Sequence, residues 1–110
     1  MLIDKELLDN LTDQAKASPR LRMNCDLRDS KEDESQRMLN AIEPGTVIPI
    51  HRHTGTSEDV VILRGKAEEV FYDEWGNEIG RWLLLPGGNI PAIHVPIGQY
   101  HTCQSPESGR

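Results

Sequence analysis

The stretch GTVIPIHRHTGTSEDVVILRG, residues 45–65, decides the interpretation of this chain. It has a glycine at each end, two of the four histidines one residue apart, and a glutamate five residues after the second. If TVIPIHRH (46–53) is a strand, His51 and His53 point to the same face, with Cα atoms about 7 Å apart. Two imidazoles at that separation can reach one metal ion at about 2.1 Å. Pro49 makes a helix here unfavourable, so the spacing predicts a strand with a histidine pair.

Two further side chains complete a candidate ligand set. Glu58 opens the next strand-like run after the loop TGTS, and an antiparallel return would place its carboxylate beside the histidine pair. Alternation then puts Glu58, Val60 and Ile62 on one face. His101 follows the turn in PIGQYHT (96–102) and can contribute a third nitrogen from a distant strand. Three imidazoles and one carboxylate suit a divalent first-row metal and leave one or two coordination positions open.

Length and composition limit the functions that remain. At 110 residues, with 36% hydrophobic and 27% charged residues, the chain is predicted to form one domain with a modest core. The net charge of −6 argues against a nucleic-acid partner. No apolar run is long enough for a membrane span, and MLIDKELLDN does not resemble a signal peptide. Two distant cysteines do not make a disulfide framework, so a cytoplasmic location is expected.

The remaining pattern predicts an all-β domain behind a short α-helix. Residues 4–17 have apolar positions at helical spacing, with Asp4 as N-cap, and residues 26–35 are a polar, charged loop. DEWGNE reads as a hairpin with Gly76 or Asn77 at positive φ. The other strand-like runs suggest an antiparallel sandwich or barrel; they are 20–25, 36–43, 59–65, 68–74, 78–85, 92–96 and 100–104.

The histidine stretch resembles the first cupin motif. Its glycines, histidines and glutamate occur at that motif's intervals, at Gly45, His51, His53, Glu58 and Gly65. The second cupin motif is matched less fully, by Pro96, Gly98 and His101, with Gly88 further upstream than usual and Ser105 in place of an asparagine. The resemblance implies a cupin-type antiparallel β-barrel or jelly-roll sandwich.

A closer resemblance is to the WbuC-type cupin family, through SPRLRMN (18–24), QRMLNAIEPGT (36–46) and HRH followed by VILRG. It implies a helical extension over 1–19, a single cupin domain over 20–110, and one divalent metal held by His51, His53, Glu58 and His101. These relatives usually continue for another strand or two past the point where SPESGR ends this chain. Cupins are commonly dimeric, so a homodimer that covers a sheet edge is expected.

Six other side chains are candidates for the pocket or for contacts just outside the metal ligands. Asn24, Arg37 and Asn40, with Arg22 and Gln36, would form a polar wall if they face inward; outward, solvated positions are the alternative. His94 fits neither motif and is expected at the surface or behind a ligand. Tyr100 is a core or rim aromatic, or a platform for a sugar. Cys103 shares a strand face with His101, as a buried small hydrophobe or a thiol near the metal.

Two classes of function fit this ligand set. The first is a metalloenzyme acting on a small oxygen-rich substrate: an oxygenase with iron, or an isomerase or lyase with manganese, zinc or nickel. The WbuC resemblance suggests a carbohydrate or a related metabolite, and no general base or other catalytic residue can be named. The second is a non-catalytic, metal-dependent binding protein or sensor for a sugar or small acid. A purely structural metal is less consistent, because structural sites are usually closed and cysteine-rich.

Overall fold

The computed structural model describes residues 1–108 as a β-rich protein with a short N-terminal helix. Its elements are α1 (Lys5–Ala17), β1 (Arg22–Asp26), β2 (Met38–Ile42), β3 (Glu58–Val61), β4 (Ala67–Tyr72), β5 (Glu78–Leu84), β6 (Ala92–Val95) and β7 (Tyr100–Gln104). The strand pairs are all antiparallel. The predicted fold class is thus confirmed at the level of antiparallel β-structure with one helix. Residues 109 and 110 lie outside the described range.

Helix α1 begins and ends as its sequence predicts. The Asp4 carboxylate accepts a hydrogen bond from the backbone N–H of Leu7 at 3.0 Å, and Ser18 caps the other end before Pro19. Leu11 and Ala15 are buried on the face that packs against β1 and β2. In the part of the chain the structure describes, no helix has the length and apolar content to cross a membrane. The predicted division at residues 19 and 20 stays a prediction.

The strands form three sheets around the core. They are the ribbon β1–β2, the ribbon β3–β6, and the three-stranded sheet β5–β4–β7. Val70, Leu84 and Val95 are among the buried core side chains. The β4–β5 hairpin turns through DEWGNE with Gly76 at φ 84°, as predicted; the Asp73 carboxylate accepts hydrogen bonds from two backbone N–H groups inside this turn.

The prediction of a full strand over 46–53 is wrong. Only His51 pairs with another strand, through an isolated bridge to His101. Pro49 has no N–H to donate to a ladder, and side-chain hydroxyls satisfy part of the remaining backbone. Thr102 Oγ1 donates to the carbonyl of Ile48 at 2.6 Å, and Thr46 Oγ1 lies at hydrogen-bonding distance from two other carbonyl oxygens, to one of which it donates. Side-chain and single-bridge contacts therefore hold this segment in place of a ladder.

The partner of the following strand also differs from the expectation. Glu58 does open β3, and Glu58, Val60 and Ile62 are less exposed than the residues between them, as alternation predicts. However, β3 pairs with β6 and not with the histidine segment, so that Glu58 lies opposite Val95. Within residues 1–108, the three sheets are not joined by continuous hydrogen bonding into a closed barrel.

Candidate metal centre

Four side chains from three separate parts of the chain meet at one point. The group consists of His51, His53, Glu58 and His101, and one ligand atom from each lies within 4.8 Å of all the others. The two neighbouring histidines come from the segment before β3, the glutamate from the first residue of β3, and the last histidine from β7. We refer to these residues below as the four-residue group.

Backbone pairing places the histidines of this group. His51 and His101 exchange two backbone hydrogen bonds, of 3.0 and 2.8 Å, and their ring centroids lie 4.4 Å apart. The carbonyl of His53 accepts a 2.8 Å hydrogen bond from the N–H of Gly98, which has φ 82° in the turn before β7. A glycine adopts this left-handed conformation without steric cost. The turn before β7 therefore anchors the histidine segment.

Hydrogen bonds fix which ring nitrogen of two histidines is free. Nδ1 of His51 lies 2.9 Å from the carbonyl oxygen of Pro49, and Nδ1 of His101 contacts the carboxylate of Glu69. Both partners are acceptors, so each Nδ1 carries a proton, and Nε2 is the ring nitrogen available to a metal. Metal-bound histidines typically donate their second ring N–H to such a carbonyl or carboxylate. Both imidazoles therefore have the hydrogen-bonding arrangement that is typical of metal-bound histidines.

The remaining polar atoms of the group have the spacing of ligands around one ion. Nε2 of His101 and Oε2 of Glu58 are buried without a hydrogen-bond partner and lie 3.5 Å apart. Nε2 of His53 lies 3.4 Å from the same oxygen. Two ligand atoms at about 2.1 Å from one metal are separated by about 3.0 Å at a right angle and about 3.4 Å at a tetrahedral angle. The residues present therefore fit a first-row divalent cation.

The pKa of His101 reflects two opposing influences. Burial lowers it, since the charged imidazolium loses solvation. The hydrogen bond to Glu69 and the negative charges of Glu69 and Glu58 raise it, and together they outweigh burial, so the net shift of the pKa is upward. A cation at this position is stabilised by the two carboxylates, whether it is a proton or a metal ion.

Glu69 is a site residue that the sequence interpretation missed. Its side chain is fully buried, and it lies opposite Cys103 in the β4–β7 register, two pairs away from the Phe71–His101 pair. Residues opposite each other in a ladder share a face, so Glu69 and His101 are diagonal neighbours on one face. The sequence could have indicated Glu69 only if the β4–β7 register had been known. Alternation along the two strands would then have placed the Glu69 carboxylate on the same face of the sheet as His101.

A cavity of about 1000 Å³ adjoins the four-residue group. Besides the group itself, its lining includes Arg22, Gln36, Arg37 and Asn40, so these candidates face the cavity. Cys103 also lines it, and burial, followed by the negative charges of Glu69 and Glu58, raises the pKa of this thiol to about 12. The cavity therefore combines a cluster of ligand atoms with a partly polar wall.

The other candidates lie outside the lining or at its margin. Asn24 is exposed and pairs with Asn40 in the ribbon, but does not line the cavity. Arg37 is also exposed and forms a 3.0 Å ion pair with Asp33. His94 is exposed, and its Nδ1 lies 2.6 Å from Oδ1 of the Asp59 carboxylate. The ring of Tyr100 lies under the guanidinium of Arg52 at 4.9 Å.

Comparison with known proteins gives one match. No curated protein and no solved structure is similar to the chain. A family model described as a domain of unknown function matches residues 3–84, which include His51, His53, Glu58 and Glu69 and end before His101. This match spans well over half of the 110 residues. The chain therefore belongs to the family described as domain of unknown function DUF6016.

Proposed function

We propose that this protein binds one divalent transition metal through the four-residue group and uses the open coordination positions to act on a small oxygen-rich molecule. Three imidazoles and one carboxylate accept zinc, iron, manganese or nickel. The structural role of a metal is less consistent with this set, because structural sites are typically closed and rich in cysteine.

The observation that carries this proposal is the pair of buried, unpartnered atoms at the centre of the group. Nε2 of His101 and Oε2 of Glu58 face each other at 3.5 Å and have no hydrogen-bond partner. Leaving a buried polar atom unpaired costs about 1–3 kcal/mol. A cation bound between these atoms would remove that cost for both at once, which explains why the fold brings them together.

The cavity supports a small-molecule ligand at the metal. Its volume of about 1000 Å³ is at the upper end of the range usual for ligand pockets. When bound, the metal would polarise a carbonyl or hydroxyl oxygen as a Lewis acid. Arg22, Gln36 and Asn40 line the same cavity and would orient the polar groups of the ligand by hydrogen bonding. A carbohydrate or related metabolite is the preferred class, through the resemblance to the WbuC-type cupins.

We also propose that the three sheets form a cupin-type barrel around this cavity. Residues of β2 and β3 line it together with residues of β4 and β7, so all three sheets contribute to its wall. A metal held between the first residue of β3, the segment before it and β7 is the arrangement that the cupin resemblance implies. The homodimer and the cytoplasmic location stay predictions.

Metal analysis tests the proposal directly. Protein purified without added metal should contain close to one equivalent of a first-row transition metal by elemental mass spectrometry, and apoprotein should take up one equivalent of zinc. The His101→Ala variant should lose this binding. Wild-type protein that stays metal-free and does not take up added zinc, iron, manganese or nickel would contradict the proposal.

Ligand and activity are tested on the metal-loaded protein. Thermal shift with sugars, nucleotide sugars and small carboxylates should identify a ligand that stabilises the zinc-loaded protein and has no effect on apoprotein. Oxygen uptake by the iron-loaded protein in the presence of that ligand tests the oxygenase reaction. Product analysis with the manganese- or nickel-loaded protein tests isomerase and lyase reactions.

A further inference from the structure

We infer that Glu69 is a positioning residue of the metal centre, which holds the imidazole of His101 so that Nε2 faces the ion. This inference rests on the metal binding proposed above. It concerns a residue outside the four-residue group, on a strand that contributes no metal ligand.

Among the four candidate ligands, His101 is the one whose hydrogen bond with Glu69 is described. Its Oε1 accepts the hydrogen bond from Nδ1 of His101, which lies on the far side of the imidazole from Nε2. The β4–β7 register puts Phe71 directly opposite His101, and the two rings meet edge to face with centroids 6.5 Å apart. The imidazole is thus held by a carboxylate at one edge and by an aromatic ring beside it.

The burial of Glu69 is costly for the fold. The side chain is 0% exposed, and its second oxygen, Oε2, is buried without a hydrogen-bond partner. Removing a carboxylate from water is unfavourable unless it is paired and fully hydrogen-bonded. The hydrogen bond to Nδ1 of His101 compensates part of this burial, so we attribute the carboxylate to the metal centre and not to packing.

Glu68 shows what a carboxylate on the other face of β4 does. It precedes Glu69 and therefore points to the opposite side of the strand, where it forms an ion pair with Arg81. Arg81 also pairs with Glu78, at 2.7 Å, in the neighbouring strand β5. Glu68 therefore takes part in a surface network that does not involve His101, and it provides a matched control one residue away.

The test compares zinc affinities of variants of the 110-residue chain. The Glu69→Leu variant removes the acceptor and the charge, and its Kd for zinc should rise about 10- to 100-fold, as is usual when a partner of a metal-bound histidine is lost. The Glu69→Gln variant keeps an oxygen that can accept the Nδ1 proton, so its Kd should lie between those of wild type and Glu69→Leu. The Kd of Glu68→Gln should equal that of wild type.

Two further measurements separate positioning from folding. In zinc-loaded wild type, NMR should show the Nδ1 proton of His101 protected from solvent exchange, and this protection should be lost in Glu69→Leu. Urea denaturation of the Glu69→Leu apoprotein shows whether it is folded under the conditions of the zinc titration, so that a raised Kd is not mistaken for a loss of fold.

Each result decides one question. Wild type that binds zinc, with the same Kd in Glu69→Leu, overturns the role of Glu69 and leaves the proposed function intact. Wild type that binds none of zinc, iron, manganese and nickel overturns the proposed function itself. If Glu69→Leu does not fold, Glu69→Gln decides, and a wild-type Kd with unchanged proton exchange would overturn the inference.

Discussion

His51 and His101 form a cross-strand pair, joined by two backbone hydrogen bonds, with ring centroids 4.4 Å apart. Their pairing is the one bridge between the segment over 46–53 and a strand in residues 1–108. The same contact therefore holds the segment to the sheet and places two candidate ligands side by side.

Removal of either imidazole should abolish stabilisation by metal. Zinc at about 100 times its Kd should stabilise the wild type by about 2.7 kcal/mol, measured as a shift of the urea midpoint. His51→Ala and His101→Ala should show no such shift. His94→Ala is the control, because His94 is exposed and contacts Asp59 outside the group. An equal shift in all four proteins would exclude the four-residue group as the binding site.

The charge of Glu58 should matter for metal retention. Glu58→Gln keeps the size of the side chain but removes the anionic ligand, so zinc should dissociate faster during dialysis against a chelator. Asp59→Asn is the matched control, since Asp59 is the next residue on β3 and is largely exposed. Dialysis followed by elemental analysis measures both. Full metal occupancy in Glu58→Gln would remove Glu58 from the ligand set.

The stability of the apoprotein should fall as the pH rises above neutrality. The pKa of His101 is raised in the folded chain because Glu69 and Glu58 outweigh burial, whereas an unfolded histidine has a pKa of about 6.5. A raised folded pKa contributes stability that is complete below about pH 6.5 and is lost as the pH rises through the folded pKa. Urea titrations between pH 6 and 9 measure this trend.

Zinc affinity should change with pH in the opposite direction. The proton that His101 gains in the apoprotein competes with the metal for Nε2, so binding should release protons and tighten as the pH rises. Calorimetry in buffers of different ionisation enthalpy counts the protons released. The His101→Gln variant is the control for both pH experiments, and an unchanged slope in that variant would show that another group is responsible.

The thiol of Cys103 should be unreactive in the folded apoprotein. With a pKa raised to about 12 by burial and the nearby carboxylates, almost none of this thiol is ionised at pH 8, and the thiolate is the reactive form. The Cys25→Ser variant isolates this thiol, and its labelling by a chromogenic disulfide reagent should be slow until denaturant is added. Equal labelling rates in folded and unfolded protein would contradict the burial of Cys103.

The core around β4, β5 and β7 should dominate the stability of the fold. Leu84 is fully buried, and Leu84→Ala should lower the free energy of unfolding by about 2–5 kcal/mol. Leu83, its neighbour on β5, is 41% exposed, so Leu83→Ala should have a much smaller effect. Urea denaturation of the two variants provides the comparison, and equal losses would show that the β5 faces are assigned the wrong way round.

Elements that are stabilised by residues close together in the sequence could be predicted from local sequence patterns. The N-cap Asp4 and the helix after it, the hairpin with Gly76 at positive φ, and the alternation along Glu58, Val60 and Ile62 all follow from neighbouring residues. The convergence of His51 with His53 also follows from a spacing of two along an extended chain. These features depend on contacts that are close in sequence.

Pairing between distant strands could not be predicted in the same way. The position of Glu69 beside His101 depends on the β4–β7 register. The position of Glu58 opposite Val95 depends in the same way on the pairing of β3 with β6, two strands that are far apart in the sequence. The prediction of a strand over 46–53 failed for a related reason. Alternation and β-branched residues favour an extended backbone, but a ladder also requires a partner along its whole length.

The irregular segment over 46–53 has a consequence for how the site assembles. Val47 is 81% exposed, and separate hydrogen bonds, not a continuous ladder, link this segment to the rest of the protein. Two of the four candidate ligand side chains belong to this segment, so a bound ion would link it to regions that are far away in the sequence. Part of the free energy of metal binding would then be used to order this segment. In the apoprotein, we expect the segment to open first, so that its amide hydrogens exchange with solvent while those of the β4–β5 hairpin stay protected.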